Sequence, residues 1–150
     1  MTKTAWLNDD EARAWRGLQF MQMRLEAELS RQLAADSSLS LQDYGVLVAL
    51  TDQRDGRLRA FELADRLGWD KTRLSHHLKR MVDRELIDKE TCPSDRRGFF
   101  IVVTALGRQE IERAAPGHVN SVRRVFLDHV TPEELTVIAD VTARVLRQPS

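Results

Sequence analysis

From Lys71 to Arg80 the chain carries Lys71, Arg73, Lys79 and Arg80, two histidines (His76 and His77), and no acid. A run of cations without a counter-charge suits a polyanion, because each Lys or Arg that meets a phosphate releases a condensed counterion. Arg also presents a planar fork of donors that matches a guanine edge, while Ser, Thr and His can reach bases or phosphates. A second cationic feature, Arg96-Arg97, follows Asp95 in the turn-forming run PSDRRG. Asp95 is placed to hold one of these arginines in a bidentate pair. The whole chain of 150 residues has 23 basic and 23 acidic residues, so its net charge is zero. Such a balance at first argues against a nucleic-acid partner, and a merely solvated helix face is the commoner fate of a charge run. The island confines any polyanion to one place.

The elements around the island explain how it would be presented. Asp70 is a good N-cap for a helix running to about Arg84, with Leu74, Leu78 and Met81 facing inward. Thr72, Arg73, Ser75, His76, Lys79 and Arg80 then face outward, beside Lys71 at the helix start. Before it, residues 60–67 predict a short helix that Gly68 can end in the left-handed conformation. After it, residues 86–92 and 99–103 predict two strands joined by the PSDRRG turn, a hairpin whose tip carries Asp95, Arg96 and Arg97. Helix, tight turn, helix and hairpin is the plan of a winged helix. Its second helix can enter a major groove and its narrow tip a minor groove.

The flanks are helical. Residues 9–35 predict a long helix with Trp15, Leu18, Gln22, Leu25 and Leu29 on one stripe, widened by Phe20, Met21 and Met23. An apolar surface on more than one face calls for a subunit interface or a ligand pocket besides the monomer core. Ser40 and Asp43 resemble a capping box for a helix carrying Tyr44, Leu47, Val48 and Leu50. Thr104 can cap a helix over 105–128, in which Pro116-Gly117 predicts a kink or a break. Thr131, Pro132 and Glu134 mark the start of the last helix. The expected fold is mainly α with a small β hairpin: one domain over 1–150, with a winged-helix lobe at about 40–104 and long helices at about 9–35 and 105–147.

Other chemistries find little support. Ser75, His76 and His77 are ingredients of a hydrolase, but neighbouring helix residues point about 100° apart and no nucleophile elbow or phosphate loop accompanies them. His76, His77, His118 and His129 lack the spacing of a metal site, so no metal and no cofactor is expected. The single cysteine, Cys92, excludes an internal disulfide. No stretch approaches the roughly 18–20 apolar residues of a membrane span, and the first residues lack a signal-peptide apolar region. A cytoplasmic protein without a membrane partner is expected.

The segments LSLQDYGVLVAL (39–50), ELADRLGWDKTRLSHHLKRMVDRELI (62–87) and DRRGFFIVVTALG (95–107) resemble the MarR family of bacterial transcription regulators, and the resemblance covers nearly the whole chain. Most specific is the Asp-x-Arg wing followed by a strand and a Thr-x-x-Gly helix start. The resemblance implies a homodimer with interlocking terminal helices. It also implies two lobes reading a pseudo-palindrome on double-stranded DNA, and release by a small molecule or oxidant. It places Thr72, Arg73, Ser75, His76 and Lys79 on the recognition surface, with Asp95 and Arg97 as the wing pair and Arg96 beside them.

Three residues depart from the pattern. His77 stands where an apolar residue is usual, and is expected to be a partly buried histidine rather than a DNA contact. Glu85 stands where a helix-ending Gly is common, which predicts a costlier turn. Cys92 lies before the wing rather than in the first helix, which speaks against peroxide sensing. A small aromatic or apolar acid is the expected effector, bound between the dimer helices and the lobe near Trp15, Gln19, Met23, Tyr44 and His118. The competing reading is a winged helix that binds protein rather than specific DNA sequences.

Overall fold

The computed structural model describes residues 2–92 and 95–148, with the backbone but not the side chains of residue 92 and residues 95–97. The element order is α1 (Asp9–Asp36), α2 (Leu41–Thr51), β1 (Arg57–Arg59), α3 (Ala60–Leu67), α4 (Lys71–Asp83), β2 (Ile87–Cys92), β3 (Asp95–Val103), α5 (Ala105–Val125), a 3-10 turn (Leu127–His129) and α6 (Pro132–Leu146). Two compact units arise from these elements. A lobe spans Ser30–His118, and a terminal-helix unit joins Met1–Leu29 to Val119–Ser150.

The hairpin expected from the sequence is part of a three-stranded antiparallel sheet ordered β1-β3-β2. β1 is the strand that the sequence does not announce, because Arg-Leu-Arg is too short to show alternation. It forms by pairing Leu58 with Ile101, which buries both side chains. α5 also differs from expectation. It continues through Pro116 without a break and ends at Val125, the residues after it closing into the 3-10 turn. One missing N–H and one ring clash are thus absorbed within a helix of 21 residues.

The lobe is built on one core. Leu74, Leu78 and Met81 of α4 point inward as expected, joining Leu47 and Leu50 of α2, Leu63 of α3, and Ile87 and Ile101 of the sheet. Each such side chain contributes about 1.5–3 kcal/mol on burial. Gly68 ends α3 with φ 67°, the left-handed cap that its lack of Cβ permits. The terminal-helix unit is the opposite case. Among its described residues only Ser121 is buried, while Trp15, Phe20 and Met23 of α1 and Val137, Val145 and Leu146 of α6 stand exposed.

One buried carboxylate ties α2 to α4. Asp43 is 2% exposed and completes the capping box of α2: its Oδ2 accepts from the Ser40 N–H at 3.0 Å while its own N–H donates to Ser40 Oγ. The same Oδ2 accepts from Arg84 Nη1 at 2.7 Å, and Arg84 Nη2 donates to the Ser38 carbonyl at 2.6 Å. Oδ1 lies 2.9 Å from His77 Nε2 on α4. Burial by itself raises the Asp43 pKa. His77, the Ser40 N–H and the Arg84 guanidinium together outweigh it and hold the carboxyl well below the usual range.

The turn after α4 is under strain. Glu85 has φ 62°, a left-handed conformation that costs a side-chain-bearing residue about 1–2 kcal/mol. The expected departure from glycine at this turn is therefore real. The turn is held by the Leu86 N–H donating to the Met81 carbonyl and by the Thr104 hydroxyl donating to the Glu85 carbonyl at 2.6 Å. Thr104 Oγ1 also accepts from the Gly107 N–H at 3.0 Å, so the Thr-x-x-Gly motif caps α5 and clamps the turn together. Gly107 is required because a Cβ there would overlap the Leu86 backbone carbonyl.

Two stability predictions follow from these contacts. Gly107→Ala is expected to cost about 2 kcal/mol or more in urea unfolding, since the clash is with backbone that must move; an unchanged midpoint would refute the close approach. Asp43→Asn is expected to lose about 3 kcal/mol near neutral pH by leaving Arg84 and His77 without their anion. In the unfolded chain Asp43 takes up its proton near pH 3.9, whereas the folded chain resists until far lower. Its stabilisation is thus complete above about pH 4 and is lost as pH falls below that. The stability gap between wild type and Asp43→Asn, followed by thermal melts from about pH 6 downward, should narrow only below about pH 4.

Candidate nucleic-acid interface

α4 is a helix with two chemically distinct sides. Asp70 caps it, its carboxylate accepting from the Arg73 N–H at 2.8 Å. That start sets the phase. Leu74, His77, Leu78 and Met81 fall on the buried side, and Lys71, Thr72, Arg73, Ser75, His76, Lys79 and Arg80 are all exposed. All seven outward residues expected from the sequence therefore share the solvent side of one helix about 20 Å long, a length that fits a major groove. The first acid on α4 is Asp83, at its last position.

His77 takes no part in that outer face. It is 9% exposed, with Nε2 against Asp43 and Nδ1 accepting from Arg80 Nη2 at 3.2 Å. Trp69, in the turn before α4, meets the His77 ring edge-on at 5.3 Å and lies beneath the Arg73 guanidinium at 4.5 Å. A cleft of about 540 Å³ opens here between the start of α2 and α4, bordered by Trp69, Arg73, His77, Arg80 and Arg84. On the other side of α4 a groove of about 400 Å³ runs toward the sheet, with Phe61, Leu74 and Phe99 on its floor and Lys71 and Lys89 at its rim.

The sheet adds cations that the sequence reading did not assign. Arg57 stands 4.3 Å over the Phe100 ring and pairs with Asp55 at 3.1 Å and Glu90 at 3.5 Å. Lys89 stands 4.9 Å over Phe99. The adjacent aromatics Phe99-Phe100 were the available signal, since facing strands bring cationic side chains across them. The expected wing contacts Asp95, Arg96 and Arg97, like Cys92, have side chains outside the described residues.

The expected ligand residues divide between the two units. Tyr44 and His118 meet in the lobe with ring centroids 4.1 Å apart and planes tilted by 34°. Burial lowers the His118 pKa, favouring the neutral imidazole, and raises that of the Tyr44 hydroxyl. Trp15, Gln19 and Met23 lie on the part of α1 in the terminal-helix unit, and all three are exposed. No three His, Cys, Asp or Glu among the described residues are grouped to hold a metal ion. No described helix is long and apolar enough to cross a membrane.

The comparisons with known proteins agree with this geometry. The MarR family profile matches residues 37–98. AbsC, a MarR family transcriptional regulator from Streptomyces coelicolor, is 39% identical over 96% of this chain and 99% of its own, with a TM-score of 0.86. Sco3205, a MarR family transcriptional regulator from the same organism solved in complex with DNA, is 36% identical over 99% of this chain and 94% of its own, with a TM-score of 0.90. BpsR of Bordetella bronchiseptica, whose structure concerns regulation of DNA binding by 6-hydroxynicotinic acid, shares the fold at 21% identity over 97% of this chain and 100% of its own, with a TM-score of 0.80. No curated protein sequence matches. With a winged helix whose recognition face carries no acid before Asp83, and two relatives 39% and 36% identical over nearly their full length, the chain belongs to the MarR family of transcriptional regulators.

Proposed function

We propose that the protein is a homodimeric repressor that binds a pseudo-palindromic operator through α4 and the wing and carries out no catalysis. The carrying observation is the outer face of α4, seven polar or cationic residues with the helix anchored from behind by its leucines. The 36% identical Sco3205, solved with DNA, supports the same use of the lobe here. Arg73 reads bases, Lys71, Lys79 and Arg80 neutralise phosphate, and Thr72, Ser75 and His76 supply further polar contacts. Asp95, Arg96 and Arg97 serve the wing contact. The whole chain acts as one MarR-type domain, with the winged-helix lobe at about 40–104.

The exposed apolar face of the terminal helices supports the dimer. A unit with Ser121 as its single buried described residue and tryptophan, phenylalanine and valine in water needs a second copy to cover it. Two-fold pairing then sets the recognition helices one or more turns of DNA apart, about 34–36 Å per turn. An effector of the small aromatic acid class finds a suitable partner in the lobe's Tyr44 and His118, whose rings lie 4.1 Å apart; Trp15, Gln19 and Met23 are the exposed α1 residues to test beside them.

Selection of bound sequences from a random duplex pool, followed by titration against salt, tests the DNA reading. Arg73→Ala is expected to weaken operator binding about tenfold or more and to relax base preference. Arg97→Ala should weaken it with less effect on which bases are read. A response to salt that is flat would instead mark a protein-binding module. In the same titration, release by small aromatic acids should be lost in Tyr44→Ala; intact release would place the effector elsewhere. Sedimentation tests the dimer independently. Val141→Asp, on the exposed face of α6, is expected to convert a dimer into a monomer that no longer holds the operator; a wild type that sediments as one chain at micromolar concentration would refute it.

A further inference from the structure

We infer that His77 is a positioning residue for DNA binding: its imidazole, braced by Asp43, holds the Arg80 guanidinium on the outer face of α4 before DNA arrives. The inference rests on the reading that this face contacts DNA. The chemistry of the two partners dictates the state of the ring. A guanidinium has only donors, so Nδ1, at 3.2 Å from Arg80 Nη2, must be the bare nitrogen. A carboxylate has only acceptors, so the proton belongs on Nε2, which lies 2.9 Å from Asp43 Oδ1 in a close but bent contact. Asp43 cannot swing to relieve that bend, because Ser40 and Arg84 hold its other oxygen at 3.0 and 2.7 Å. The imidazole is thus an acceptor aimed outward from a buried, fixed base.

The tie to Asp43 is structural and accounts for the inner edge of the ring, but not for the contact that its other nitrogen makes with Arg80. The position lies on the inner side of α4 among Leu74, Leu78 and Met81, where an apolar side chain would pack without the cost of desolvating an imidazole. Beyond its contact with Asp43, a histidine adds the bond to Arg80 and an edge for Trp69, whose face in turn carries Arg73. Arg loses much rotamer freedom when a phosphate immobilises it, and restricting it in the free protein lowers that cost. His77 therefore raises affinity through Arg80 without touching DNA.

The test is a double-mutant cycle in the full-length protein, measured by titration of the selected operator duplex against salt. His77→Leu is expected to bind about five- to tenfold more weakly with the log–log salt slope nearly unchanged, whereas Arg80→Ala weakens binding and also lowers that slope by about one. Because both act through one contact, the double variant should fall no more than about twofold below Arg80→Ala alone. His77→Gln, whose amide oxygen can accept from Arg80, should recover most of the loss. Normal affinity in a His77→Leu variant that only melts at lower temperature would overturn the inference, and so would losses that simply multiply. If His77→Leu does not fold, nitrogen-15 shifts of the wild-type imidazole decide: a bare Nδ1 supports the inference and a protonated Nδ1 refutes it. Wild-type affinity in Arg80→Ala would refute it as well, while the wild type's salt-steep binding of the duplex leaves the regulator reading standing. A wild type that binds no duplex would bring down that reading instead.

Discussion

The Asp43 carboxylate is the point at which the lobe's parts are tied together. Three groups from three places converge on it: the backbone N–H at the start of α2 and the guanidinium just beyond the end of α4, which donate hydrogen bonds, and the imidazole of α4, in close contact at 2.9 Å. A buried charge left without partners would cost several kcal/mol, so the fold is stable only in the arrangement that supplies all three. The same short side chain that closes the capping box of α2 therefore also sets where α4 lies. A Glu at this position, the commoner capping-box residue, carries an extra methylene into a space that is already 2% exposed.

From that anchor the two sides of α4 acquire different work. The inner side is leucine, methionine and one histidine, and the outer side is an unbroken polar and cationic surface. Electrostatics of the whole chain would not reveal this, since 23 acids balance 23 bases. What matters is that the acids are elsewhere. Within the lobe, Asp55 and Glu90 are paired with Arg57 and Asp43 with Arg84, while along α4 four cations precede its one acid, Asp83.

The terminal-helix unit follows another logic. Its helices are well formed, and α6 starts with a complete capping box in which Thr131 Oγ1 accepts from the Glu134 N–H at 3.1 Å. Yet its apolar residues remain in water in the single chain. Local signals are enough to make a helix, but only burial makes a core. The lobe has its core within the chain, and the terminal helices carry theirs on the outside.

Much of this was legible in the sequence, because the signals were local. Asp70, Gly68 and Thr131 act on the backbone within a few residues of themselves, so their caps appear where the sequence placed them. The inward phase of Leu74, Leu78 and Met81 followed from helical periodicity, and the outward cationic set followed from the same phase. The odd residues were also visible as oddities, His77 as a polar residue on an apolar face and Glu85 where a glycine would be easier. What each was for could not be read. The strand β1 has three residues and exists only because β3 lies beside it. The continuity of α5 through Pro116 and the need for Gly107 beneath the Leu86 carbonyl depend on neighbours that are distant in the chain. The outward cations of α4, with which the chemistry began, were determined by the sequence alone, since a helix's phase is set by its own residues. That Asp43, 34 residues before His77, braces the imidazole holding one of them was decided by the tertiary structure, because only packing brings those two side chains to 2.9 Å.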